Sequence, residues 1–279
     1  MTTGLVLEGG AMRGMFTAGV LDAFLDHHIR ADRVVGVSAG ALFGVNYLSG
    51  QRGRVIRYNK RFNADRNYMG LRPLLREGNI VSTDYAYDRV PRLLDPFDDD
   101  AFQASGVPFD AVVTSLSDGQ PSYIRIHSVF QQMDVLRASG SMPFVSRPVE
   151  LEGQLYLDGG IADSIPFRYL ADQGCEKLVV VLTRPAGYRK KPMNSRLIRF
   201  WYRRYPQLAE TMEQRHIRYN EALDTLTQWE RQGRALVIRP RQALAVGRLE
   251  SDGQKLQAAY DQGRMAVEQR LEELTAYLR

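Results

Sequence analysis

Gly36-Val37-Ser38-Ala39-Gly40 is a G-x-S-x-G motif reached only 38 residues into the chain. The β-branched pair Val34-Val35 precedes it, and a helix-like stretch from Ala39 to Leu48 follows and stops near Gly50. That strand–turn–helix context makes the five residues a nucleophile elbow. A serine at the tip of so sharp a turn sits in strained backbone, and side chains at the flanking glycines would collide with strand or helix. Its Oγ is displayed at a helix N-terminus, where backbone N–H groups and the helix dipole favour negative charge.

Outward from the elbow, residues 4–8 read as a strand and Met15 to His27 as a helix, with Phe16, Val20, Ala23 and Phe24 at helical spacing. Strand 33–37 and helix 39–49 complete a β-loop-α-β-turn-α unit, the pattern of a mostly parallel sheet with helices on both faces. Residues 51–105 are polar, carry Pro73, Pro91 and Pro96, and read as an irregular insertion over one edge of the sheet, a lid or entrance wall. Strands follow at Phe109 to Leu116, Ser122 to Ile126 and Leu155 to Leu157. A helix near Phe167 and the strand Lys177 to Leu182 are expected to close the sheet. Beyond Arg184 the chain reads as a basic, helical extension. It holds a helix from about Gln207 to Trp229, a short strand Ala235 to Arg239, and one long amphipathic helix from about Asp252 to Leu278. The domain expectation is therefore 1–183, with 51–105 as its insertion, and an extension 184–279 packed on it.

With 44% hydrophobic and 25% charged residues, the composition is that of a globular protein rather than a disordered or fibrous one. The single cysteine, Cys175, excludes an internal disulfide framework and suits a small packed residue at a helix-to-strand turn. No signal peptide is visible and no run approaches 18 apolar residues. The expected location is the cytoplasm, or peripheral attachment to the inner face of a membrane.

The net charge of +5 is localised. Lys177 to Ala209 holds nine of the 37 Lys and Arg and no Asp or Glu, which leaves 28 basic against 32 acidic residues elsewhere. At its centre Arg196, Arg199, Trp201, Arg203 and Arg204 interleave cations with aromatics, a mixture suited to an anionic phospholipid surface. Single-stranded nucleic acid is a lesser alternative, and a solvated face whose aromatics pack on the domain is the plain one.

A serine hydroxyl needs a proton acceptor. His27 and His28 end the first helix and read as solvated caps, and His127 ends a strand. His216 has the chain order of an α/β-hydrolase histidine but lies among Glu213, Gln214, Arg215 and Arg218 on what reads as a solvated helix face. That hydrolase class also places several strands before its elbow, whereas here one strand and one helix precede it. The loop Gly9-Gly10-Ala11-Met12-Arg13-Gly14, between first strand and first helix, can instead aim its N–H groups at an oxyanion near Ser38. It lacks the spacing of a dinucleotide fingerprint or a P-loop. Asp158-Gly159-Gly160, delivered by the strand Leu155 to Leu157, can bring a carboxylate to the same sheet edge to accept the serine proton directly. Arg13 reads either as a guanidinium tying the glycine loop to a carboxylate or carbonyl, or as a group that charges the oxyanion site or meets a lipid phosphate. Met12, Met15, Met142 and Phe144 read equally as core or as the lining of an acyl groove. No cluster has metal-ligand spacing, so no metal or cofactor is expected.

Loop, elbow and aspartate turn, in that order, resemble the patatin-like phospholipases, lipid acyl hydrolases with a serine–aspartate dyad on a three-layer α/β/α fold. The likeness covers roughly residues 4–183. The family's G-G-G-x-R/K-G loop matches at Gly9, Gly10, Arg13 and Gly14 and departs at Ala11. Its G-x-S-x-G falls on Gly36 to Gly40, and its D-G-G/A falls on Asp158 to Gly160. Ala138-Ser139 followed by Pro143 resembles a further block of the family. The resemblance implies Ser38 as nucleophile, Asp158 as base, the 9–14 loop as oxyanion hole, and ester acyl transfer from lipids through an acyl-enzyme. The rival expectations are a non-catalytic lipid-surface protein of the same fold and an acyl transferase.

Overall fold

The computed structural model, residues 1–279, is organised around one eight-stranded sheet. The first half holds β1 (Thr3–Leu7), α1 (Gly14–Asp26), β2 (Arg33–Val37) and α2 (Ala39–Leu48), then α3 (Arg54–Phe62), α4 (Leu71–Glu77), a wide π-type helical segment (Tyr85–Leu94) and α5 (Asp99–Ala104). Next come β3 (Phe109–Ser115), β4 (Pro121–Ile126), α6 (Met133–Ser139), β5 (Val149–Leu151), β6 (Gln154–Asp158), α7 (Phe167–Asp172) and β7 (Lys177–Val181). The chain ends with α8 (Ser195–Trp201), α9 (Pro206–Arg231), β8 (Ala235–Ile238), α10 (Gly253–Glu268) and α11 (Leu271–Leu278).

The strand order is β5-β6-β3-β2-β1-β7-β8, with β4 also on β3. The β3–β2–β1–β7–β8 block is parallel, and β4, β5 and β6 pair antiparallel. Successive side chains along a strand point to opposite faces, and the core divides accordingly. Leu5, Leu7, Val34, Phe109, Ala111, Val113, Val179 and Val181 join the layer of α1, α2, α6 and α10. Their neighbours Val6, Val35, Val112, Leu178 and Val180 join Phe167 and Leu170 of α7 and Tyr219 and Leu226 of α9. Those are the three layers of an α/β/α sandwich.

Three expectations change. The sheet does not close at Leu182, because β8 pairs in parallel with β7, Leu178 opposite Ala235 through Val181 opposite Ile238. The C-terminal residues thus complete the sheet as well as packing on it. The long final helix is broken at Gln269-Arg270 into α10 and α11. The 51–105 segment is mostly helical, not irregular, and it covers the helical layer. Val55, Ile56, Phe97 and Phe102 are buried in the main core, and the Arg54 guanidinium bonds the Asn46 side chain of α2 at 2.7 Å. A packed wall results.

Helix α10 is held against α1 by backbone contact. A side chain at Gly19 would strike the Tyr260 carbonyl oxygen, and one at Gly263 would strike that of Phe16. Glycine at both positions permits the approach, and Tyr260 adds a buried hydrogen bond to Asp22 at 2.7 Å.

Candidate active site

Strand β3 acts as a common ruler for two chain ends. β2 runs parallel to it as far as Val37 opposite Val112. β6 runs antiparallel to it as far as Asp158 opposite Val113. Because β4 occupies the other edge of β3 at Val113 and Thr114, β6 takes the edge that β2 has just left. The two strands therefore meet head to head, and Ser38 and Asp158 are the residues at the meeting point. The Asp158 N–H donates to the Ser141 carbonyl at 2.9 Å. Its carbonyl accepts from the Thr114 hydroxyl at 2.9 Å, and its Oδ1 accepts from the Gly160 N–H at 2.8 Å.

Ser38 is the N-cap of α2 with φ 54° and ψ −122°, a backbone region that L-residues avoid and functional sites retain. Its N–H donates to the Ser139 Oγ at 2.9 Å, a fully buried contact. Gly40, two residues on, packs so closely that a Cβ would overlap the Leu7 carbonyl oxygen. Beside the elbow, Ala11 has φ 47°, the left-handed conformation that a third glycine would take without strain. The N–H groups of Gly9, Gly10, Ala11 and Ala39 have no hydrogen-bond acceptor within the protein.

Ser38 lies at the junction of two cavities. One, of about 130 Å³, is apolar; 19 of its 26 lining residues are hydrophobic, among them Leu42, Phe43, Met69, Val90, Val129 and Leu136. The insertion supplies much of its wall. The other, of about 630 Å³, is polar and contains Asp158, Arg13 and Gly10. Met12 and Met142 line the apolar cavity, Phe144 lines the polar one, and Met15 is fully buried core.

Burial raises the Asp158 carboxyl above its ordinary value of 3.8, while the Arg215 guanidinium, the Ser38 hydroxyl, the Gly160 N–H and Lys190 oppose the shift. Both Ser38 and Asp158 are 7% exposed. A buried, basic carboxylate beside a hydroxyl is suited to general-base chemistry.

The other sequence candidates fall elsewhere. His27 meets Glu268 at 2.9 Å. The His216 Nδ1 lies 2.9 Å from the Glu213 carbonyl of its own helix, although its ring lines the polar cavity. Arg13 makes no ion pair and its Nε is buried without a partner, so a tie to a carboxylate is not what holds it. Of the basic segment, Arg199 is bound in a bidentate pair to Glu213 at 2.6 and 2.8 Å. Arg196, Arg203 and Arg204 have no such partner.

Sequence reasoning missed Arg215, read as solvated and found beside Asp158, and Glu8, buried beneath the glycine loop. Glu8 accepts from the Thr183 N–H and the Tyr219 hydroxyl, both at 2.6 Å. A signal for Arg215 existed. Leu208, Met212, Tyr219 and Leu226 define the buried stripe of α9, and position 215 falls on that stripe at helical spacing.

Comparison with known proteins places these features in context. An uncharacterised protein, YjjU, of Escherichia coli K12 is 33% identical over 204 residues, covering 72% of this chain and 55% of the relative. Lysophospholipase NTE1 of Saccharomyces cerevisiae is 27% identical over 183 residues, 64% of this chain and 10% of the relative. An uncharacterised NTE family protein, Rv1063c, of Mycobacterium tuberculosis is 27% identical over 180 residues, 63% and 48%. The chain thus spans about half of two of these relatives and a tenth of the other. The crystal structure of VipD from Legionella pneumophila aligns with a TM-score of 0.49 at 13% identity, over 98% of this chain and 67% of that one. Residues 205–279 match a domain of unknown function (DUF6363). Residues 5–171, which hold the glycine loop, the elbow and the aspartate turn, match the patatin-like phospholipase model, and the chain belongs to that family.

Proposed function

We propose that the protein hydrolyses acyl esters of lipids by a serine–aspartate mechanism. The observation that carries this reading is the head-to-head meeting of β2 and β6 on β3, which brings Ser38 and Asp158 together at the junction of an apolar and a polar cavity. The acyl chain enters the apolar cavity. Ser38 Oγ attacks the ester carbonyl as Asp158 takes its proton. The N–H groups of Gly10 and Ala11, with that of Ala39, hold the tetrahedral oxyanion; one such donor is worth roughly 10²–10³-fold in rate. Asp158 returns the proton to the departing alkoxide; water, deprotonated by the same carboxylate, then attacks the acyl-enzyme, and Asp158 gives that proton to Ser38 Oγ as the acid leaves. Lysophospholipase NTE1 bears a name consistent with this substrate class.

Helix α8 is the proposed contact with an anionic membrane, the protein working from the cytoplasm at the inner face. Leu197, Phe200 and Trp201 are exposed on it, beside Arg196, Arg203 and Arg204. It is joined to the cavity wall, because Trp201 packs edge-on against Phe144 at 5.9 Å and the Phe144 N–H donates to the Tyr202 hydroxyl at 3.1 Å. No helix is long and apolar enough to cross a membrane.

The deciding experiment is covalent trapping. Purified protein treated with a fluorophosphonate gains one adduct by intact mass, mapped to Ser38, and hydrolyses a p-nitrophenyl ester. Ser38→Ala abolishes both, and Asp158→Asn abolishes turnover. Full turnover in either variant, with the fold intact, removes the dyad.

A further inference from the structure

The polar cavity beside Ser38 carries far more positive charge than a dyad needs. Its wall holds seven basic residues and two carboxylates, Glu8 and Asp158. Both carboxylates are already engaged, Glu8 by Thr183 and Tyr219 and Asp158 by the Gly160 N–H. Arg189 is paired outward with Asp224. Arg13, Arg184, Lys190, Lys191, Arg215 and Arg248 make no ion pair, and Nε of both Arg13 and Arg215 is buried without a hydrogen-bond partner. Burial, then the neighbouring Arg215, push the Lys190 ammonium down to about 7. Burying Arg13, Lys190 and Arg215 together, with more positive charge around them than Glu8 and Asp158 can balance, destabilises a fold, and an anionic ligand would offset that cost.

We infer that this cavity receives the phosphoryl headgroup of the lipid substrate and selects headgroups of net negative charge over zwitterionic ones. The inference deepens the proposed hydrolase reading and rests on it. Position supports it, since one cavity at Ser38 is apolar and the other cationic, matching the two ends of a phosphate-bearing acyl ester. Phosphoryl oxygens accept charge-assisted hydrogen bonds from guanidinium and ammonium groups. A choline headgroup needs an aromatic cage or a free carboxylate. Here both tyrosines of the wall already carry a cation, Tyr188 that of Arg184 at 4.4 Å and Tyr219 that of Lys190 at 4.1 Å, which leaves Phe144 alone and no cage. Of the six unpaired cations, Lys191 included, only Arg13 lies within residues 5–171, and Arg215 and Arg248 come from the C-terminal region matched by the domain of unknown function. Headgroup selection is thereby a role for that region.

The test uses the Ser38→Ala protein, so that binding is read without turnover. Calorimetry compares lysophosphatidic acid, lysophosphatidylcholine and monoacylglycerol of one acyl chain, with glycerol 3-phosphate as the free anion. Lysophosphatidic acid is expected to bind at least about tenfold tighter than either other lipid, since a charge-assisted hydrogen bond contributes about that factor. Glycerol 3-phosphate competes with it more weakly. Lys190→Gln and Arg215→Gln each cut the preference by roughly tenfold, and Arg215→Lys restores part of it. Lys190 faces Arg215, Arg13, Glu8 and Asp158, with His216 on the same wall. An anion raises the Lys190 value, so binding at pH 8 takes up a proton, seen as a heat that depends on the buffer, and Lys190→Gln abolishes that uptake. Equal binding of the three lipids by the Ser38→Ala protein overturns the inference by itself, whether or not the cation variants fold. So does a preference that survives both variants, or glycerol 3-phosphate binding without lipid preference, which marks a free-phosphate site. Failure of the hydrolase reading looks different: Ser38→Ala would retain turnover while the binding order stands.

Discussion

Ser139→Ala tests whether the nucleophile is held by its neighbours or by its own turn. The Ser139 Oγ accepts the Ser38 N–H at 2.9 Å and is fully buried. The alanine leaves that N–H without an acceptor, which costs about 1–3 kcal/mol. For a chain of this size each kcal/mol lowers Tm by about 2–4 °C, so a fall of roughly 2–12 °C is expected. The kinetic effect adds to this. Ser38 at φ 54° is in a conformation that costs about 1–3 kcal/mol and persists only under restraint. Loss of the acceptor lets the elbow relax, and a displacement near 1 Å lowers the rate by about 10²-fold. Ser139 lines neither cavity, so the loss falls on kcat while KM for a p-nitrophenyl ester stays constant, measured well below the variant's Tm. Ser139→Cys, of similar size and weaker acceptor strength, falls between the two. A destabilised variant with undiminished kcat refutes the positioning role, and an unchanged Tm refutes the hydrogen bond.

Three further outcomes follow from the geometry of the site. Burial holds the Asp158 carboxyl above 3.8, so its base form is lost as pH falls through the raised value. The acid limb of kcat/KM, measured with a neutral ester, therefore stands above an ordinary aspartate, and a limb at or below 3.8 counts against the assignment. A raised carboxyl also means that the folded chain binds that proton more readily than the unfolded one. Ionised Asp158 thus lowers stability above the folded value, and the penalty is relieved as pH falls through it. Asp158→Asn is expected to melt higher than the parent at pH 7, with the gap closing in acid. Finally, Ala11 at φ 47° carries a left-handed cost of roughly 1–2 kcal/mol, and Ala11→Gly removes it at a loss of about 0.4–1 kcal/mol in unfolded-chain entropy. Differential scanning should show an unchanged or slightly raised Tm, and a clear fall would mean that the alanine methyl packs productively.

What was legible in the sequence is what local chemistry dictates. The elbow could be read because the turn needs small residues on both sides of Ser38, and the parallel unit around it because β1 and β2 are short apolar runs flanking a helix of period 3.6. Asp158 could be read because it ends a strand and two glycines follow. The 51–105 segment was misread because its helices are short and heavily charged. In α3, Arg54, Arg57, Lys60 and Arg61 mask the buried set Val55, Ile56, Asn59 and Phe62. Arg54 itself is 4% exposed, its charge met by Asp95 at 3.3 Å, and composition alone assigns such a residue to solvent.

The cationic cavity was legible only in part. Arg184, Lys190 and Lys191 lie in the basic stretch 177–209, but only tertiary folding joins them to positions 13, 215 and 248. Two packing events do so. β8 extends the sheet beyond β7, which turns the chain back after α9, and α9 then lies across the sheet face with Tyr219 bonded to Glu8 under the glycine loop. Arg215 lies one helical turn before Tyr219, so the bond that docks the helix also brings the guanidinium to Asp158. A sequence pattern registers such a residue only as an interruption, a cation where the stripe of Leu208, Met212, Tyr219 and Leu226 calls for an apolar side chain. Read physically, that interruption is informative. A buried helix face accepts an arginine when a carboxylate or a ligand offsets its desolvation, and along this stripe Asp158 supplies one part of that charge.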